Sequence, residues 1–183
     1  MSDPFNYPGL RILSLFLTDP HREIHLREAA KIVGVSSSTA KRFLEFYAEN
    51  GFVTKRRKAN LVLFKGNLES NAFRFMKIGY LMHRIRPLID YLKETYPNSS
   101  VTLYGSCARG EDGPDSDIDL LLVGRTNREN CLPRFEQKLG RRITLIVYTP
   151  QEWEMKASED RAFYERVLVD GVTINGYLPV VAT

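Results

Sequence analysis

Cysteine and histidine are scarce in this 183-residue chain, with two and three copies respectively. Cys107 and Cys131 are too few for a disulfide framework, and the histidines are not spaced with them as metal ligands. Both cysteines therefore read as free thiols. Cys107 has no nearby histidine to activate it, so a small residue filling a tight loop is the better reading than a nucleophile. Long apolar runs are also missing: no stretch approaches the roughly 20 residues needed to cross a bilayer. Met1-Ser2-Asp3-Pro4 lacks the basic and apolar regions of a secretory signal, and the expectation is a cytoplasmic protein. Neither a Gly/Ser-rich linker nor an internal repeat interrupts the chain. With 43% hydrophobic and 26% charged residues, its composition is that of an ordinary folded protein, long enough for one large domain or two small ones.

What is present is an uneven charge. Residues 1–66 carry 11 basic and 6 acidic side chains, whereas residues 67–183 carry 15 and 16. A basic excess confined to one part of a chain points to an anionic partner for that part, nucleic acid being the usual one. Within it, Leu10, Leu13, Phe16 and Leu17 form one helical stripe over Pro8 to Leu17, ended near Asp19-Pro20. Leu26 to Val33 gives a second helix through Leu26, Ala29, Ala30 and Val33, and Gly34 suits the turn that follows. Ser36 is placed to cap a third helix with Ala40, Phe43, Leu44 and Tyr47 on its apolar face and Gly51 at its end. The opposite face carries Ser37, Ser38, Lys41 and Arg42. Phe52-Val53-Thr54 and Leu61-Val62-Leu63-Phe64 then read as strands, joined by Lys55-Arg56-Arg57-Lys58-Ala59-Asn60 as a basic hairpin tip.

The stretch from Pro8 to Lys65 resembles a winged helix-turn-helix. That resemblance implies major-groove contacts from Ser37, Ser38, Lys41 and Arg42 and backbone or minor-groove contacts from Lys55, Arg56, Arg57 and Lys58. The blander alternatives are a solvated basic loop and a protein-docking module.

Asn71 to Met82 has helical apolar spacing, and Pro87 either kinks that helix or starts another running to Tyr96. Phe73, Phe75, Tyr80 and Leu81 lie on more than one face, which suits a homodimer interface or an intramolecular core. The expected organisation is a DNA-binding domain at 1–66, a helical connector at 67–97 and a catalytic-type domain at 98–183.

The segment richest in chemistry lies in that last part. Val101-Thr102-Leu103-Tyr104 alternates like a strand and ends in Gly105-Ser106, small residues that let a backbone approach a ligand. Asp117 and Asp119 follow at the head of Leu120-Leu121-Leu122-Val123. In a strand, residues two apart share a face, so both carboxylates can grip one cation. Their mutual repulsion is relieved by a divalent ion, and Mg²⁺ suits carboxylates combined with substrate phosphates. A polar loop flanking a buried strand is the bland alternative.

Gly105 through Gly110 and Ser116 through Leu120 together resemble the signature of the DNA polymerase beta-like nucleotidyltransferase superfamily, specifically the minimal nucleotidyltransferases. The resemblance implies an α/β (α+β) core with a small mixed sheet, a nucleoside triphosphate held by Gly105 and Ser106 with Arg109 beside the loop, and Mg²⁺ or Mn²⁺ on Asp117 and Asp119. The superfamily commonly adds a third carboxylate from a later strand, here Arg142 to Thr149, and its slot falls on Thr144. A hydroxyl cannot serve as that base. Glu152 and Glu154 are candidate substitutes, with helix-surface solvation as the plainer reading of both. After the aspartate strand, Arg128 to Gly140 reads as a helix and Arg161 to Val169 as another, before a short strand Val172-Thr173-Ile174.

These readings lead to a nucleotidyltransferase moving a nucleoside monophosphate from a triphosphate to an acceptor hydroxyl, coupled to a module for double-stranded DNA. The alternative is a DNA-binding regulator whose second domain binds nucleotide and metal with little or no turnover. A third is a protein that pairs with, or modifies, a small toxin partner. Nothing in the motif reads a base edge, so the nucleotide, the acceptor and the DNA sequence stay open.

Overall fold

A computed structural model describes residues 3–124 and 132–181. The chain divides into two compact units, Met1–Tyr80 and Leu81–Thr183. The division falls inside one helix, Asn71–Arg84.

In the first unit, α1 (Pro8–Thr18) begins with proline in its first turn and buries Ile12, Leu13, Phe16 and Leu17. Helix α2 (Leu26–Val33) is capped by the His25 ring, which accepts from the Glu28 N–H. Its end is set by Gly34 at φ +70, the left-handed conformation that glycine adopts without Cβ strain. Helix α3 (Ser37–Glu49) starts at Ser36, whose hydroxyl accepts from the Thr39 N–H, and buries Ala40, Leu44 and Tyr47. These faces enclose one core with Ile24, Val53, Phe64 and Phe73.

Three strands complete the unit: β1 (Ile24–His25), β2 (Val53–Lys58) and β3 (Leu61–Gly66), antiparallel in the order β1-β3-β2. The hairpin departs from the sequence expectation. Lys55, Arg56, Arg57 and Lys58 are not its tip; they continue β2 opposite Phe64, Leu63, Val62 and Leu61. The connection is only Ala59-Asn60, with Ala59 at φ 51. Two-residue connections match the twist of paired strands, and long cationic side chains on an exposed strand keep their charges in water. Strand β1, at two residues, is too short for any periodic signal.

Helix α4 (Asn71–Arg84) runs from the first unit into the second, and Pro87 lies in the first turn of α5 (Arg86–Thr95), starting a helix rather than kinking one. The second unit then contains β4 (Ser100–Tyr104), α6 (Gly105–Ala108), β5 (Ile118–Val123), α7 (Leu132–Leu139), β6 (Ile143–Tyr148), α8 (Pro150–Glu159), α9 (Arg161–Asp170) and β7 (Val172–Asn175). The expected helix from Arg128 is described only from Leu132, and Cys131 lies outside the described residues.

The sheet order is β6-β5-β4-β7, with β5 and β6 parallel and the other pairs antiparallel. This is the small mixed sheet expected for the C-terminal part. Alternation sends Val101, Leu103, Ile118, Leu120, Leu122 and Ile143 into one core with Leu88, Leu92 and Phe135. The other face holds Leu121 and Ile146 against Trp153 and Val167. Both faces are thus covered by helices, which explains the nearly continuous apolar run of β5. The indole N–H of Trp153 donates to the Pro179 carbonyl at 2.7 Å.

Candidate active site

The site forms where β4 ends and β5 begins. Antiparallel pairing sets Tyr104 opposite Asp119, and parallel pairing sets Thr144 of β6 beside Asp119 on its other flank. Gly105 follows Tyr104 at φ +72, and a Cβ built there would run into the Asp119 carboxylate. The residue must be glycine on two counts: the backbone is left-handed, and the acid occupies the space. Ser106 is the second residue of α6, directly beyond. Folding therefore brings Gly105 against the Asp119 carboxylate.

The Asp119 carboxyl is half-buried, and its pKa is raised above the ordinary 3.8. Desolvation is the largest cause, followed by the negative charge of Asp117, with Arg141 opposing. Two carboxylates of like charge in a partly desolvated setting are a fit for a divalent cation, whose charge reverses both penalties. Among the described residues no group of three or more His, Cys, Asp or Glu side chains forms a metal cage. The donors here are two carboxylates, which leaves coordination positions for phosphate oxygens and water, the usual habit of Mg²⁺.

Thr144 stands in the slot beside Asp119 where a third acid was sought. Glu152 does not replace it. Its carboxylate accepts from the Thr149 N–H at 2.7 Å while its own N–H donates to the Thr149 hydroxyl, a reciprocal cap on α8. Thr149 follows the far end of β6, five residues beyond Thr144, or about 16 Å at the usual strand rise. Glu154 is exposed on α8.

Arg109 is near the loop but not free. Its guanidinium donates to Glu111 at 2.8 Å and to Asp170 of α9 at 3.2 Å. Cys107 is fully buried, and its thiol pKa is pushed up to about 11, by desolvation first and then by Asp112. That leaves it protonated, in agreement with a packing role. Tyr104 is likewise raised to about 12, by burial and then by Asp119, so its hydroxyl stays protonated beside the acid.

Sequence reasoning overlooked Arg141 and Asp112. Their ion pair, at 2.8 Å, is largely buried, and Arg141 also donates to the carbonyls of Ser116 and Asp117. In the sequence, Arg141-Arg142 after Gly140 looks like an ordinary pair of cations after a helix, and only the fold joins it to a carboxylate 29 positions away.

In the first unit, Ser37, Ser38, Lys41 and Arg42 are exposed on α3, with the Arg42 guanidinium 4.8 Å from the Phe43 ring centre. Of the basic run on β2, Lys55 pairs with Glu45 of α3 at 2.7 Å and Arg56 with Glu23. Arg57 and Lys58 form no ion pair among the described residues.

Residues 85–169 match the family model described as a nucleotidyltransferase domain. The match runs from the residue before α5 to the last turn of α9 and contains the whole Gly105–Asp119 site. The C-terminal part of the chain is thus similar to nucleotidyltransferase domains, a likeness with which its small mixed sheet is consistent. No match to a curated protein was found. No helix among the described residues is long and apolar enough to cross a membrane.

Proposed function

We propose that the C-terminal unit binds a nucleoside triphosphate with Mg²⁺ and transfers the nucleoside monophosphate to an acceptor hydroxyl, while the N-terminal unit acts as a winged helix-turn-helix on double-stranded DNA. The observation that carries the first half is the close approach of Gly105 to Asp119, where a Cβ would meet the carboxylate. In the transfer, the acceptor oxygen bonds to the α-phosphorus, the bond from that phosphorus to the β-bridging oxygen breaks, and pyrophosphate leaves. A bound Mg²⁺ supplies charge neutralisation at the phosphates.

The side chains divide the remaining work. Asp117 and Asp119 hold the metal ion, and Gly105 and Ser106 let the triphosphate approach the backbone. Arg109 braces the loop through Glu111 and Asp170. Thr144 accepts no proton at neutral pH, so the acceptor hydroxyl loses its proton without help from that position. General-base help is worth about 10²–10⁴-fold, and the enzyme is correspondingly slow.

On DNA, the N-terminal half of α3 offers Ser37, Ser38, Lys41 and Arg42 to the major groove. Arg57 and Lys58 meet the backbone most directly, because Lys55 and Arg56 are already engaged by Glu45 and Glu23.

The test is transfer of α-labelled ATP, GTP, CTP and UTP, with Mg²⁺ or Mn²⁺, to proteins and nucleic acids of a host lysate. Label on a discrete acceptor that vanishes in Asp117→Asn/Asp119→Asn establishes the reaction and its substrate class. The place of Thr144 beside Asp119 favours one second reading, a DNA-bound sensor that holds nucleotide and metal without turnover. Retained nucleotide binding without transfer, together with a DNA affinity that responds to nucleotide, selects it.

A further inference from the structure

Arg141 makes more defined contacts around the acid pair than any residue of the motif itself. Its Nε donates to the Ser116 carbonyl at 2.7 Å, Nη1 to Asp112 Oδ2 at 2.8 Å, and Nη2 to Cys107 Sγ at 3.0 Å and the Asp117 carbonyl at 3.4 Å. The Cys107 thiol in turn donates to the Asp117 carbonyl at 3.2 Å. The Arg141 side chain is 12% exposed and that of Asp112 is 7% exposed.

One guanidinium thus ties together the loop before β5, through Asp112, Ser116 and Asp117, the helix α6, through Cys107, and the approach to β6. The planar fork has donors aimed at several partners at once, a geometry that a lysine ammonium does not reproduce. Its positive charge also opposes the burial and the Asp117 charge that raise the Asp119 pKa.

From this geometry we infer that Arg141 is the positioning residue of the site: with Asp112 as its anchor, it holds the Ser116-Asp117 backbone against the Cys107 helix, so that Asp117 and Asp119 are presented together to a divalent cation. The inference rests on the proposed metal-binding role of those aspartates. Arg141 touches neither nucleotide nor metal in this scheme and acts only through the backbone it holds. Groups that orient metal ligands typically govern 10–100-fold in metal affinity.

The experiment uses the full chain with Mn²⁺ as probe, free ion being counted by its electron paramagnetic resonance signal. Three variants are compared: Arg141→Lys, Arg141→Met, and the volume-matched Arg141→Met/Asp112→Leu, which leaves no orphan charge and retains the fold if a single variant does not. Melting temperature and circular dichroism establish folding.

The expected result is Mn²⁺ binding weakened 10–100-fold in every folded variant, with Arg141→Lys failing to restore it, and shifted amide resonances at Asp117 and Asp119. Wild-type affinity in a folded Arg141→Met or double variant overturns the inference. If wild-type protein binds no Mn²⁺, the metal-binding reading fails by itself. The amide resonances then decide Arg141 separately: unchanged Asp117 and Asp119 signals in a folded variant overturn the positioning role as well.

Discussion

The two units treat charge in opposite ways. In the N-terminal unit the basic run from Lys55 to Lys58 looks like four free cations in the sequence, yet Lys55 and Arg56 are answered by Glu45 and Glu23 within the fold. In the C-terminal unit Asp117 and Asp119 face each other's charge, and the nearby Arg141 spends its hydrogen bonds on Asp112, a thiol and two carbonyls rather than on either carboxylate. Arg109, the cation closest in sequence to the Gly-Ser turn, is likewise given to Glu111 and Asp170. Charge satisfied from within is structural. Charge held together against repulsion fits the proposed cation, and that difference separates the basic β2–β3 hairpin from the acid pair more sharply than composition does.

The largest effect should come from removing the unanswered charge. Asp117→Asn or Asp119→Asn is expected to lower label transfer by about 10³-fold or more, since metal stabilisation of the transferring group is worth several kcal/mol and each ~1.4 kcal/mol is tenfold. The opposite change, Thr144→Asp, places a carboxylate beside Asp119. It should raise transfer by about 10²-fold or more, provided Mg²⁺ is present to relieve the added repulsion. A steady-state rate no higher than that of the native protein removes the absent base as the cause of slowness.

Next in size is Gly105→Ala. The left-handed backbone costs an alanine about 1–3 kcal/mol, and its Cβ collides with the Asp119 carboxylate. Thermal or denaturant unfolding should show that loss, accompanied by weakened Mn²⁺ binding. An equally stable variant with native metal affinity would mean that the turn and the acid are not in contact.

For the β2–β3 hairpin and its proposed DNA binding, replacing Arg57 and Lys58 together by alanine should reduce the slope of log K against log salt for duplex DNA by about 1.8, at ~0.9 per lost phosphate contact. Replacing Lys55 and Arg56 should change it less, because those cations already have partners. Equal changes for the two pairs would erase the distinction between answered and unanswered cations.

The smallest expected effect is on stability against pH. Burial and Asp117 hold the Asp119 pKa above its ordinary value, so the native state keeps that proton longer than the unfolded chain does. The stability it contributes is present in full below the unfolded value and is lost as pH rises through the folded one. In metal-free buffer, Asp119→Asn should lose less stability than the native protein over that rise, and divalent metal should restore the native protein above it.

Much of this was legible from the sequence, and what was not has a physical reason. The helices over Pro8–Thr18, Leu26–Val33 and Ser37–Glu49 carry apolar stripes, the first opened by proline and the other two by local caps, so they are written in consecutive residues. The strands around the aspartates are apolar runs bounded by turn residues, and the Gly-Ser and Asp-x-Asp elements are short motifs with defined spacing. The ends of the hairpin strands were misplaced because a basic run reads as a loop until its carboxylate partners are known. Glu23 lies 33 positions from Arg56, and no local pattern joins them. Arg141 was missed for the same reason, since its value comes from Asp112, Ser116 and Cys107, all brought to it by the sheet.

The most direct measurement is the anomalous difference density of crystals grown with Mn²⁺ and a non-hydrolysable nucleoside triphosphate analogue. The expected result is a peak within about 2.2 Å of oxygens from both Asp117 and Asp119, with phosphate density against Gly105 and Ser106. Well-ordered crystals with bound nucleotide elsewhere and no metal between those aspartates would contradict the assignment of this site.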